Sequence, residues 1–183
     1  MPNATNVSTG KPKVTGAVFR APLGTTLPTD AATSLNEAFL ELGYVSEDGV
    51  RNTNTAESDD VKAWGGAPVL TLQTGKPDTW KLKLIEALNP NVLKTVYGDA
   101  NVTESGKTIH VKATTEQAND AVYVIDMILK GGAMKRVVIP IGALSEVAEI
   151  VYKDDEAIGY EITISGMEHE GATHHEYIQL AAE

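Results

Sequence analysis

From Val14 onward the chain alternates apolar and polar residues at period two, in short runs broken by Gly, Pro, Asn and Asp. Such alternation commits a chain to strands with one buried face. The clearest run is "IGYEITIS". Ile158, Tyr160, Ile162 and Ile164 point one way, and Glu161, Thr163 and Ser165 the other. A strand of this kind covers a core with one face and meets water or a channel with the other.

The remaining strand signals come in order along the chain. "VTGAVFRAP" reads as a first strand ended by Pro22, and "LGTTLPTDAATSLN" as a loop. "AFLELGYVS" is a second strand, closed by the turn signal "EDG". "DDVKAWGG" and "PVLTLQT" are short strands around a Gly-Gly break. "KTIHVKA", "DAVYVIDMILKGG" and "AMKRVVIPIGA" come next, the last two paired across Gly131-Gly132. "SEVAEIVY", the turn "KDDEA" and "IGYEITISG" form a hairpin, and "THHEYIQLA" closes the chain. Tyr123, Ile125, Met127 and Leu129 make one apolar face. The segment "GKPDTWKLKLIEAL" fits either a helical or a strand pattern, and the residues after it decide between the two. "NPNVLKTVYGD" has Asn89 as N-cap, Pro90 at the first helical position and Gly98 where a C-cap glycine belongs. A helix over 90–97 therefore succeeds a strand over 79–87. Many short strands and one helix predict an antiparallel β-sandwich or barrel. The expected organisation is a flexible polar arm over 1–13 and a single β domain over 14–183, with a long polar inter-strand hairpin at about 46–62.

The 183 residues suffice for one well-cored domain. No apolar run reaches the length of a membrane span, and "MPNATNVSTGKPKV" has no apolar core of the kind a signal peptide needs. Without cysteine there is no disulfide, thiolate metal site or cysteine nucleophile. This fits synthesis in a cytoplasm. The net charge of −10 is uneven: all 15 Lys and Arg lie in residues 1–153, whereas 154–183 hold eight acids and no Lys or Arg. An acidic chain lacks the basic footprint of a phosphate-gripping protein. Its plainest use is a solvated acidic face.

Only "MEHEGATHHEY" suggests catalysis. His169, His174, His175 and Glu176 are potential metal ligands, but they match no ligand spacing with a mechanism. On a strand, His174 and His175 point to opposite faces. A hydrolase using these residues is one functional reading, and a non-enzymatic adhesion or carbohydrate-binding sandwich another. Low aromatic content, 5%, disfavours a stacked-ring binding face. No serine lies in a nucleophile elbow and no glycine run fits a phosphate loop. The three sequons, at Asn3, Asn6 and Asn101, read as chance. Nothing in the chain calls for a cofactor. Trp64 and Trp80 are most simply core or under-loop residues; Trp64, beside the polar excursion, also suits a subunit contact.

Taken in order, "GTTLPTD", "LGYVSEDGV", "LIEALNPNVLKTVYG" and "YEITISG" resemble the major tail protein, the tail tube subunit, of long-tailed, non-contractile bacteriophages, with an actinobacterial flavour. The resemblance spans roughly residues 14–180 and rests on order and spacing, since no single motif is specific. It implies a non-enzymatic virion protein whose subunits close into six-fold rings that stack into a hollow tube through which the genome passes. It implies further partners at the tail tip or baseplate, a tape-measure protein and a tail terminator, and no membrane. Inner-tube proteins of bacterial contractile injection systems share the fold. In this picture the excursion reaches along the tube axis to the next ring, through Glu47, Asp48, Arg51, Asn52, Asn54, Glu57, Asp59, Asp60 and Trp64. Glu161, Thr163 and Ser165 are expected to face the lumen, where acidic or neutral walls let DNA slide.

Overall fold

The computed structural model describes residues 2–13 and 16–181. Val14, Thr15, Ala182 and Glu183, which belong to the expected domain, lie outside the described residues. The strands in chain order are β1 (Lys11–Pro12), β2 (Val18–Pro22), β3 (Leu40–Glu41), β4 (Val45–Asn54), β5 (Glu57–Lys62), β6 (Pro68–Gly75) and β7 (Asp78–Leu84). The α-helix α1 (Pro90–Tyr97), the one α-helix among the described residues, comes next. After it run β8 (Val102–Ser105), β9 (Thr108–Val111), β10 (Ala121–Ile128), β11 (Met134–Val147), β12 (Tyr160–Gly166) and β13 (His175–Gln179). The protein is mainly β, antiparallel, with one helix, as its alternation predicts.

One nine-stranded sheet runs β3-β2-β10-β11-β12-β7-β4, with β1 also beside β10 and β13 also beside β11. The long β11 turns this sheet on itself. Its first part pairs with β10, from Met134 opposite Ile128 to Gly142 opposite Ala121. Its last part pairs with β12, from Gly142 opposite Gly166 to Val147 opposite Ile162. The passage occurs at Pro140–Gly142. Proline gives no N–H to a ladder and is tolerated where pairing is irregular, and the β10–β11 register shifts at this level. Gly142 is required by packing: a Cβ there would lie 2.6 Å from the Tyr123 ring and 2.8 Å from Ile164.

Both halves of the folded sheet face one core. Val18, Tyr123, Ile125, Val137 and Ile139 come from one half; Trp80, Leu82, Leu84, Tyr160, Ile162 and Ile164 come from the other. Burying each large aliphatic side chain contributes about 1.5–3 kcal/mol. The helix α1 closes the side with Val92, Leu93 and Val96. Its ends are as expected. Asn89 Oδ1 accepts from the Asn91 N–H, and the Gly98 N–H reaches Lys94 O with Gly98 at φ 94°. The β8–β9 hairpin adds Val102, Ile109 and Val111 against the same core.

The strand β10 is buried on both faces. Its second face, Val122 and Val124 with Val138 and Ala21, is covered by the irregular strap 23–39 through Leu27, Leu35 and Phe39. Buried Arg136 ties the strap down. Its Nε and Nη2 donate to Asp126 at 2.7 and 2.8 Å, and its Nη1 donates to Asp30 O and Thr33 O. Asp30 in turn accepts from the Ala32 and Thr33 N–H groups, shaping the strap locally.

Several expected boundaries move. The "EDG" turn is a bulge inside β4: Val45 faces Leu84 but Val50 already faces Leu82, with Gly49 at φ 69°. The expected strand "AFLELGYVS" shrinks to Leu40–Glu41, and Val45 belongs to β4. "AMKRVVIPIGA" and "SEVAEIV" form one strand to Val147, and residues 148–159 form no strand. The arm is tied at its inner end. Lys11 and Pro12 pair with Ile128 and Met127, and Ser8 Oγ accepts from the Lys130 N–H.

Candidate assembly surface

The expected hairpin at about 46–62 is placed elsewhere by the chain. Its first half is β4, an edge strand of the body paired with β7. The projecting hairpin is β5–β6, from Glu57 to Gly75. Among the described residues these two strands pair only with each other, Asp59 opposite Leu72 and Val61 opposite Leu70. Facing residues in an antiparallel pair share a side. One side therefore carries Val61, Leu70 and Leu72 with Asp59, and the other Ser58, Asp60, Thr71 and Gln73. Thr71 Oγ1 donates to Asp60 at 2.6 Å. All residues of β5 and all but the last of β6 are exposed. The tip, Ala63–Ala67, holds Trp64 fully in solvent, and Gly65 and Gly66 supply its positive φ angles. An isolated two-stranded hairpin is marginally stable in water, and a contiguous exposed apolar strip marks an interaction surface.

The nine residues expected at the inter-ring contact thus divide. Glu47 lies in the β4 bulge, next to Asp48, which pairs loosely with Arg51 at 3.4 Å; all are on the body. Asn52 and Asn54 lie opposite Trp80 and Asp78 at the end of β4, where Asn52 Nδ2 donates to Asp78 Oδ1 at 2.7 Å. Only Glu57, Asp59, Asp60 and Trp64 lie on the projecting hairpin. Sequence reasoning missed Val69, Leu70 and Leu72, whose alternation is the same as that of a buried strand.

The expected lumen group keeps its phase. Glu161, Thr163 and Ser165 are half-buried on the side opposite Tyr160, Ile162 and Ile164. Their face is not purely acidic. Lys81 Nζ lies 2.6 Å from Glu161, and Lys83 Nζ 2.9 Å from Glu156. Hydrogen bonding and attraction raise both lysine pKa values and lower that of Glu156. The bases of β7 therefore pair with two of the eight acids of 154–183, Glu161 and Glu156.

The four residues of "MEHEGATHHEY" do not converge. His174 Nδ1 meets Asp78 Oδ2 at 2.6 Å, His175 stacks on Tyr177, and Glu176 pairs with Lys135. His169 forms a bridge to Ala172. Among the described residues no group of three His, Cys, Asp or Glu is placed to hold a metal ion.

An open-edged β4 and a solvent-exposed apolar hairpin are the kind of surface that pairs with other chains. The family model described as phage tail tube protein matches residues 4–182, and the chain belongs to that family. Its role is accordingly structural, in the tail of a phage virion. No curated protein matches it.

Proposed function

We propose that the chain closes into six-fold rings that stack into the tail tube, the conduit for genome passage. The β5–β6 hairpin then makes the contact between rings. The observation that carries this reading is that hairpin: an apolar strip of Val61, Leu70 and Leu72, with Trp64 at its tip, left exposed by the described residues. Burying such a strip against a neighbouring subunit supplies the stabilisation that two lone strands lack. Within a ring, the unpaired outer edge of β4 suits pairing with the next subunit, which removes an aggregation-prone edge. The ion-paired face of Lys81, Lys83, Glu161, Thr163 and Ser165 is assigned to the lumen, where near-neutral charge avoids strong phosphate binding. The tail tip, tape-measure and terminator proteins are the further partners of this assembly, and the chain acts without catalysis or cofactor.

The test replaces Glu57–Gly75 by a tight turn joining Asn54 to Asp78. The expected result is a soluble subunit with near-native melting that forms no stacks by electron microscopy under conditions where the intact chain does. Tubes of normal length from the shortened chain would refute the stacking role.

A further inference from the structure

We propose that Asp78 and His174 form a clamp at the root of the β5–β6 hairpin, through which the C-terminal segment fixes the direction in which the hairpin leaves the body. The root is where β4 ends and β7 begins, and Asn54 lies directly opposite Asp78 there. The inner face of β7 runs Leu84, Leu82, Trp80 and Asp78, so an apolar row ends in one buried carboxylate. That carboxylate joins β7 to two other segments. Its Oδ1 accepts from Asn52 Nδ2 of β4 at 2.7 Å, and its Oδ2 accepts from Thr173 Oγ1 at 2.8 Å and meets His174 Nδ1 at 2.6 Å. Thr173 and His174 immediately precede β13, which is held on β11.

Three further features fit a built junction. Gly166 opposes Asp78, and a Cβ there would press on Thr173 O at 3.1 Å, so the glycine lets the C-terminal segment approach. The His174 ring stands edge-on to Trp80, with centroids 5.1 Å apart, which fixes the imidazole plane. Beyond the junction the hairpin has no strand partner among the described residues, so its direction is set at its root. A buried carboxylate with satisfied hydrogen bonds holds its donors in a defined geometry. His174 is thus a positioning residue that acts through Asp78. This also gives a role to one member of the histidine-rich segment that no tail-tube reading uses.

The absence of cysteine makes the inference measurable by spin labelling. Cysteines introduced at Gln73 on the hairpin and Lys107 on the body, both exposed, take labels whose distance distribution reports hairpin direction. The measurement uses the dilute, unassembled full chain, so it stands whether or not the chain stacks. The wild-type background should give one narrow distribution. His174→Ala should broaden or shift it, His174→Asn, which keeps a donor at the Nδ1 position, should restore it, and Thr173→Val should broaden it partially. Should His174→Ala not fold, Thr173→Val and His174→Asn carry the test. An unchanged distribution in His174→Ala or, where that variant does not fold, in Thr173→Val would overturn the clamp. A His174→Asn distribution that is not restored would do the same.

Discussion

Replacing Arg136 by Met removes a side chain whose N–H groups serve four acceptors at once. The Arg136 and Asp126 side chains are 1% and 4% exposed, so the Asp126 carboxylate is left charged and out of water. Breaking a buried pair from one side costs about 3–5 kcal/mol. Lys13 Nζ stands 3.6 Å from Asp126 Oδ2 and offsets part of this, although its side chain is 29% exposed and the attraction is screened. The lower part of the range, about 3–4 kcal/mol, is the expected loss. At about 2–4 °C per kcal/mol for a chain of this size, melting should fall by roughly 6–16 °C. Urea unfolding followed by Trp80 fluorescence in a Trp64→Phe background measures it, with the midpoint falling at unchanged slope. Asp126→Leu combined with Arg136→Met should recover most of the loss, because no charge is then stranded. A loss under about 1 kcal/mol, or a double variant no more stable than the single, would refute the assignment of Arg136 as the buried tie of the strap.

Gly142→Ala should destabilise by about 1–3 kcal/mol through overpacking against Tyr123 and Ile164, with thermal melts as the readout; a melt within a degree of wild type would show that β11 does not cross there as described. Acid should weaken the fold. Burial raises the Asp78 carboxyl, but hydrogen bonds from Asn52, Thr173 and His174 outweigh it and leave its pKa below the ordinary value; Asp99 is lowered by its hydrogen bond from Arg20. Depressed carboxyls contribute stability that is present above the ordinary value of about 3.9 and is lost as pH falls through the folded one. Melting temperature should therefore be flat above pH of about 5 and decline below about 4, and Asp99→Asn should shallow the decline. A flat profile to pH of about 2.5 would contradict this.

The parts legible in the sequence were those where local chemistry and burial agree. Asn89, Pro90 and Gly98 mark α1 because capping is local, and Tyr160–Ile164 alternates because one side is core. β4 was not legible for the opposite reason. Beyond Val50 the residues on that side are Asn52, opposite Trp80 and hydrogen-bonded to Asp78, and Asn54, opposite Asp78, so the alternation of strand faces carries no hydropathy signal. β8 is four residues with a single apolar one, Val102, and draws its stability from α1 and β9. The hairpin was legible only as short strands: the alternation around Leu70 and Leu72 is that of any strand with an apolar face, and only the fold shows both to be about half exposed. His174 stood out in the sequence as a ligand type, but its partner Asp78 is 96 residues away, and only tertiary structure joins them.

The central claim is that β5–β6 is the contact between stacked rings of this chain. A density map of assembled tubes by electron cryomicroscopy tests it most directly. The expected map has six subunits per ring, β4 edges paired between neighbours, Glu161, Thr163 and Ser165 on the inner wall, and Trp64, Leu70 and Leu72 buried against the adjacent ring. A map with the hairpin free on the outer surface, and rings joined through other segments, would contradict it.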